Sequence, residues 1–521
     1  MKKVIIIGAG PAGLSAALTL LREGGKEKFD VTILERSSFT GGISRTVEHN
    51  GNRMDIGGHR FFTKDAQVNK FWEELMPGQG SGAFDDCILG RNVAITPNGP
   101  DPEKEDKVML TRSRISRIYY RKKFFDYPVK MNSTTILNMG FFTTFSAGIS
   151  YVFSLFHSLP ETSLENFYIN RFGRKLYSMF FERYTEKLWG RHPRDISADW
   201  GAQRVKGLSI VAVLKDIFGK ILPGKRKKVE TSLIEEFHYP KYGPGQLWET
   251  VAEEIRKRGG KILFNCKAEK FLAGEKGIEK IIASDANGEE KVFDADIVFS
   301  SMPVKELVSG MENVPENILQ AAKGLPYRDF VTVGLLFEKL ALKNKTKIKT
   351  LNNIIPDCWI YVQEENVKLG RMQIFNNWSP YMVKEPLKKI WIGLEYFCNE
   401  GDEYWNRSPE EWKDSAIKEL IQMGVVSAGE TLFDFHVEKV EKAYPAYFDT
   451  YSQMDAIIAF LDTFPNLYCV GRNGQHRYNN MDHSMATAFE AVRHILSGGR
   501  GNKNAIWNVN TEKEYHEEKK E

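Results

Sequence analysis

A run of apolar, mostly β-branched residues opens the chain at Lys3–Ile7 and reads as a strand buried on both faces, the pattern of a parallel sheet. Behind it, Leu14, Ala17, Leu18 and Leu21 recur at helical spacing and predict a helix over Pro11–Arg22. Val31–Leu34 then returns as a second strand, which completes a βαβ unit. From 67 to 235 the apolar period is mainly helical, with stripes at Val68–Leu75, Leu164–Phe172 and Leu176–Trp189. Short strands follow at Lys261–Asn265, Ala268–Leu272, Gly277–Ala283, Lys291–Phe293 and Ile297–Ser300. A second β-rich set, Thr332–Phe337, Trp359–Val362, Met372–Asn376 and Ile390–Tyr396, predicts an antiparallel sheet in another domain. Leu467–Val470 is a strand, Gly471–Asp482 a turn and Ser484–Leu496 a helix, and the polar tail from Gly498 is assigned no structure.

At 521 residues the chain exceeds what one core holds, so two or three domains are expected. Its 72 basic and 68 acidic residues nearly cancel, which leaves no electrostatic footprint for nucleic acid. The five cysteines are scattered and never form a CxxC pair, so neither a disulfide framework nor a metal site is expected, and a cytoplasmic location follows. The N-terminal apolar run superficially resembles a signal peptide, but its glycines and the acid behind them have another explanation. Ile136–Leu159 carries no charge over 24 residues, long enough to span a bilayer. A span would separate residues 1–60 from 460–500, which both read as parts of one site. The expectation is therefore a buried helix, with membrane contact through 136–159 as an alternative and a true span as a third. The basic stretch Ile221–Val229 reads as a solvated loop or as a flap near a polyanion.

The chemistry begins at Gly8-Ala-Gly10-Pro-Ala-Gly13, between a strand and a helix. Gly8 permits the tight turn, Gly10 lets the backbone approach a pyrophosphate, and Gly13 allows close packing of helix on sheet. Glu35, 22 residues after Gly13, falls where an acid accepts hydrogen bonds from a ribose, and Arg36 follows it. Gly41-Gly42-Ile-Ser-Arg45-Thr46 resembles the second glycine pair of the two-domain flavoproteins that include amine oxidases and protoporphyrinogen oxidases. That resemblance favours FAD over NAD. With no second glycine loop, NAD(P)H could serve only as an external reductant that visits the flavin. The fold class is thus α/β: a Rossmann-like FAD-binding domain assembled from discontinuous segments (1–66, 235–303 and 464–500), with a helical cleft domain (67–234) and an antiparallel β-sheet substrate domain (304–463), then a polar tail (501–521).

Within that class the string Gly471-Arg472-Asn-Gly474-Gln-His-Arg477-Tyr478-Asn-Asn480-Met481-Asp482 closely resembles the C-terminal flavin motif of UDP-galactopyranose mutases. Gly57-Gly58-His59 is similar to the loop that sets a histidine against the flavin. Phe125-Asp-Tyr127-Pro128 and Tyr184-Thr-Glu-Lys187-Leu-Trp189 resemble the mutase cleft, and Asp199-Trp200-Gly-Ala-Gln-Arg204 its mobile loop. Trp359-Ile-Tyr361, Arg371-Met-Gln-Ile-Phe375 and Tyr444-Pro445 resemble its sheet and closing segments. The resemblance implies a redox-neutral pyranose–furanose ring contraction of a nucleotide sugar through an adduct at N5 of reduced flavin, the step that gives such enzymes a place in cell-wall polysaccharide synthesis. It also implies roles: His59, Arg204, Arg371 and Arg472 in catalysis; Tyr127, Trp189, Tyr361, Tyr444, Tyr478 and Asn480 on substrate; Gly8, Gly10, Gly13, Glu35, Arg36, Gly42, Gly58, Gly471, Arg472, Met481 and Asp482 on FAD. Tyr239-Pro-Lys-Tyr-Gly243-Pro-Gly245 keeps the family's glycines but not the neighbours that read uridine. The rival reading is an FAD-dependent oxidoreductase of the amine oxidase or protoporphyrinogen oxidase type. It shares the flavin site and differs only in the cleft residues.

Overall fold

A computed structural model describes residues 1–127, 129, 133–198 and 236–509. The chain forms two units. The first comprises Met1–Thr111, His238–Asp329 and Val440–Thr511, and the second Arg112–Phe237, Phe330–Lys439 and Glu512–Glu521.

The first unit is built on a five-stranded parallel sheet in the order Leu467–Cys469, Ile297–Ser300, Lys2–Ile7, Phe29–Leu34, Lys261–Leu263. Strands drawn from three distant stretches pair side by side, and those in the middle, Lys2–Ile7 and Ile297–Ser300, carry apolar runs covered on both faces, while the edge strand Lys261–Leu263 is only partly buried. One face packs on the Pro11–Thr19 and Met481–Leu496 helices through Leu14, Ala17, Leu18, Met485 and Phe489. The other receives an antiparallel three-stranded layer, Lys267–Gly274, Gly277–Ser284 and Glu290–Asp294, and the helices Val304–Ser309 and Glu316–Lys323. Boundaries drawn from the sequence at 66, 303 and 463 therefore fall inside this unit. The apolar faces at Val304, Leu307 and Ile318 belong to its core, although their helical period resembles any other surface helix.

A seven-stranded sheet runs in the order Leu432–Pro445, Tyr327–Phe337, Ile390–Cys398, Arg371–Ile374, Trp359–Val362, Ser116–Tyr120, Lys123–Asp126, and all of it belongs to the second unit except Val440–Pro445 and Tyr327–Asp329, which fall within the bounds of the first. The expected antiparallel sheet is mixed: Trp359–Val362 runs parallel to Ser116–Tyr120, with Trp359 opposite Ser116. The last two strands lie in a stretch read as mainly helical. Arg121 and Lys122, at φ of 50° and 57°, make their turn with residues that give no turn signal in the sequence. One face is closed by the helix Pro409–Met423 through Trp412, Ala416 and Leu420. The unit also carries the helices Phe141–Phe156, Leu164–Tyr177 and Arg183–Trp189. The expectation that 136–159 is buried is corrected. The helix buries Ala147, Tyr151 and Ser154, with Ser150 accepting from Lys175 N–H at 3.1 Å, and exposes its phenylalanines. Among the described residues no helix is long and apolar enough to cross a membrane.

Candidate functional site

Gly8 sits at φ +98°, a conformation its neighbours Ile7 and Ala9 could not adopt without strain, and it turns the chain from strand to helix. A side chain at Gly13 would start 2.0 Å from the Gly8 carbonyl, so helix and loop meet backbone to backbone. The helix Pro11–Thr19 begins at Gly10 with no side chain capping its amides. The second glycine pair docks on this loop: Gly41 donates its N–H to Ala9 O at 2.8 Å, and Gly42 approaches Gly10. Two glycine segments thus frame an open helix N-terminus, which suits a pyrophosphate.

Glu35 holds the rim. Its carboxylate accepts from Ala9 N–H at 2.7 Å and from the N–H and hydroxyl of Ser37, both at 2.8 Å. A carboxylate offers about four acceptor positions, so one remains for a ribose hydroxyl. Arg36 instead reaches Glu441 in a half-exposed ion pair at 3.3 Å. These features fit the adenosine diphosphate half of FAD.

The C-terminal turn supplies the other side. Gly471, at φ +78°, donates its N–H to Thr487 Oγ1 at 2.8 Å, and a Cβ there would lie 2.9 Å from that of Ala12. Asn480 precedes the helix Met481–Leu496. Met481 is buried in the core, and Asp482 lies in the first turn, 3.8 Å from His483. Arg472 extends from this turn. Its Nε donates to Asn479 O at 2.8 Å and its Nη1 to Ala443 O at 2.9 Å. The guanidinium lies 4.7 Å from the Tyr478 ring centroid and 5.8 Å from that of Tyr444, two rings stacked within 12° of parallel. Among the described residues no carboxylate pairs with it, so its charge is undiminished.

His59 neighbours that charge. Loss of water first, then the Arg472 guanidinium, push its pKa down to about 4, while its Nδ1 contact with Gly57 O at 2.8 Å works in the opposite direction. Near neutral pH the ring is uncharged, Nδ1–H faces the carbonyl, and Nε2 carries a lone pair. Gly58 beside it is exposed.

Other predicted site residues belong to the second unit. Arg371 is buried, its Nη1 ion-paired with Glu395 at 3.3 Å and its Nε donating to Tyr184 Oη at 2.7 Å. Tyr361 meets Tyr127 at 4.3 Å and Tyr184 at 5.8 Å between ring centroids. Trp189 is buried at the end of the Tyr184 helix. Lys187 fastens a loop by donating to the Glu364 and Leu369 carbonyls, and burial brings its pKa down to about 8. Arg204 lies outside the described residues. The structure thus groups Arg472, His59, Tyr444, Tyr478 and Asn480 in one unit and Arg371, Tyr361, Tyr127 and Trp189 in the other. The Arg371 guanidinium, which the resemblance places in catalysis, is matched by the Glu395 carboxylate.

Two residues escaped the sequence reading. Glu395 could have been found: it is an acid inside the fully buried strand Ile390–Cys398. Asp55 could not. Its carboxylate accepts from Tyr239 Oη and, at 2.8 Å, from Thr46 Oγ1, and burial pushes its pKa up to about 7. Thr46 also accepts from Gly245 N–H at 3.0 Å, so Tyr239–Gly245 serves to fasten this unit.

A family profile described as flavin containing amine oxidoreductase matches residues 11–496. A structure of reduced UDP-galactopyranose mutase shares the fold, with a TM-score of 0.75 at 21% identity, covering 99% of this chain and 100% of the mutase. A fatty acid isomerase from P. acnes that produces CLA shares it less closely, with a TM-score of 0.55 at 12% identity over 95% of this chain and 99% of the isomerase. A phytoene desaturase of Phycomyces blakesleeanus is 48% identical over 56 residues, 11% of this chain and only 9% of the desaturase.

Proposed function

The chain belongs to the flavin-containing amine oxidoreductase family, which implies FAD, and from that premise we propose that it is a mutase that isomerises the sugar ring of a nucleotide sugar without net oxidation. The observation that carries this reading is Arg472. Two backbone carbonyls fix the guanidinium, two tyrosine faces flank it, and its remaining N–H groups are available to an anion. A pyrophosphate takes such a group by charge-assisted, bidentate hydrogen bonds. An amine substrate would instead be repelled by it.

Reduced flavin would supply a nucleophilic nitrogen for the anomeric carbon. The protein's part is to hold the departing diphosphate close while the ring reopens and closes, a positioning task for Arg472, Tyr444 and Tyr478. His59, uncharged, would accept a hydrogen bond at Nε2 without placing a second cation beside the arginine. Gly8, Gly10, Gly13, Glu35 and the Gly471–Asp482 turn would hold the FAD, with NAD(P)H as its external reductant.

The second reading, a net oxidoreductase, draws on a specific observation. Arg371, which the resemblance sets beside Arg204 and Arg472 in catalysis, is neutralised by Glu395, and so leaves less positive charge for a diphosphate. Anaerobic incubation of the dithionite-reduced protein with UDP-galactose separates the two. Furanose product formed only by the reduced protein supports the mutase. No turnover, together with rapid bleaching of oxidised flavin by an amine or a porphyrinogen, supports the oxidoreductase.

A further inference from the structure

The helix Phe141–Phe156 carries a dense run of exposed apolar side chains. Its residues Phe141, Phe142, Phe145, Phe153 and Phe156 are 61–85% exposed, and Ile149, Val152 and Leu155 are exposed beside them. At 100° per residue these side chains cover about half of the helix circumference. Ala147, Tyr151 and Ser154 fill the opposite side. A phenylalanine carries roughly 200 Å². Five of them, this exposed, exceed the ~300–600 Å² of the largest apolar patch on an ordinary monomer.

We infer that this face is a docking surface for a lipid bilayer, on which the helix lies flat with its phenylalanines in the acyl boundary. Length excludes a crossing: 16 residues of helix reach ~24 Å, short of the ~30 Å hydrocarbon core. Polarity argues against a protein partner. Specific protein interfaces carry about one hydrogen bond per 100–200 Å². Along the exposed positions between 141 and 156, Ser146 is the one polar side chain. A bilayer interior asks for no such partners, and a Phe- and Leu-rich apolar face is what interfacial helices present.

Charge agrees. From Tyr127 to Pro160 the sequence has no Asp or Glu. The first acid beyond it, Glu161, is ion-paired with Arg171 at 2.5 Å. Exposed cations flank the face at two places. Lys123, next to Arg121 and Lys122, donates to Asn138 O, which sets it near the start of the helix. The second is exposed Arg174, 3.9 Å from Glu165, with half-buried Lys175 beside it, just after Gly173, which packs so tightly on Tyr151 that a Cβ would come within 2.8 Å of its backbone. Cations at the edge of an apolar face are drawn to anionic headgroups.

The test uses the full-length, flavin-loaded protein with vesicles of phosphatidylcholine, with and without phosphatidylglycerol. The wild type is expected to sediment with the anionic vesicles. The triple variant Phe142→Ser, Phe145→Ser, Phe156→Ser should lose at least tenfold in partitioning while it keeps its bound-flavin spectrum. Arg174→Gln should lose less, and only on anionic vesicles. In a Phe145→Trp variant, brominated acyl chains should quench the indole. Undiminished sedimentation of the triple variant would overturn the inference. So would a wild type that ignores vesicles and forms a dimer the triple variant dissolves, since a second copy would then cover the face. Slow hydrogen exchange along the helix without lipid, together with no sedimentation, would overturn it in favour of cover by the chain's own residues 199–235.

Discussion

Two arginines taken from the sequence as one chemistry stand in opposite surroundings. Arg371 lies in the sheet of the second unit, directly across from Glu395 in register, with Trp359, Tyr361 and Phe397 rings within 6.0 Å of its guanidinium. Arg472 leaves a turn of the first unit and, among the described residues, meets carbonyls and aromatic faces, with the uncharged His59 near it. The first has its charge answered inside the fold, so its removal disturbs folding. The second has no carboxylate partner among the described residues. A guanidinium in a cleft-like sequence motif is thus not evidence for an anion until the carboxylates have been placed.

The comparison breaks most visibly at Glu395. Burial pushes its carboxyl up and Arg371 opposes that shift. Glu395→Ala leaves a buried guanidinium without its counter-charge, and should cost about 3–5 kcal/mol in urea unfolding. Replacing both residues by Leu should recover most of the loss. Arg472→Ala should change unfolding by ~1 kcal/mol, since it gives up two hydrogen bonds to carbonyls. Equal losses at the two sites would erase the distinction.

A second buried carboxylate sharpens it. Asp55 is buried with hydroxyl partners and, among the described residues, no cation, so burial raises its pKa to about 7 from an ordinary value near 3.8. The native state therefore binds a proton that the unfolded chain has released. The stability this contributes is full below about pH 4 and is lost as pH rises through about 7. On the order of 3 kcal/mol should separate the two ends, measured by urea unfolding from pH 4 to 8. Asp55→Asn should flatten that slope; an unaltered slope would place the proton elsewhere.

Much of the geometry of the glycine loops was legible because its physics is local. Gly8, Gly10 and Gly13 answer to backbone geometry within a few residues, and the apolar runs at Lys3–Ile7 and Val31–Leu34 answer to burial on both faces. The pairing of Arg371 with Glu395 was not legible, because it joins two strands that the sequence does not register against each other. The exposed face of 141–156 failed for another reason. Apolar periodicity reports that a face seeks cover, and it does not say what covers it. Arg121 and Lys122 hid a hairpin because charged residues seldom mark a left-handed turn.

Arg472 should prove its role in binding before it does so in stability. Arg472→Ala is expected to retain its yellow flavin and to lose tenfold to a hundredfold in affinity for UDP, about 1.5–3 kcal/mol by calorimetry, the range of a charge-assisted hydrogen bond. Arg371→Leu in the Glu395→Leu background should bind UDP as the wild type does, if its charge is spent internally. The reverse ranking would hand the anion to Arg371.

The smallest effect is the most direct measure of the free charge. His59 holds its pKa near 4, with dehydration the larger cause and Arg472 the second. A pKa this far below the ordinary 6.5 means that the native state refuses a proton the unfolded chain accepts, so stability is present above about pH 6.5 and is lost as pH falls through about 4. Removing the guanidinium takes away the lesser cause only. In Arg472→Gln the imidazole resonances should titrate higher, by less than about one unit, and still well below 6.5, since burial remains. A midpoint that does not move would mean that the charge of Arg472 is screened from the ring, and that the guanidinium is no freer than that of Arg371.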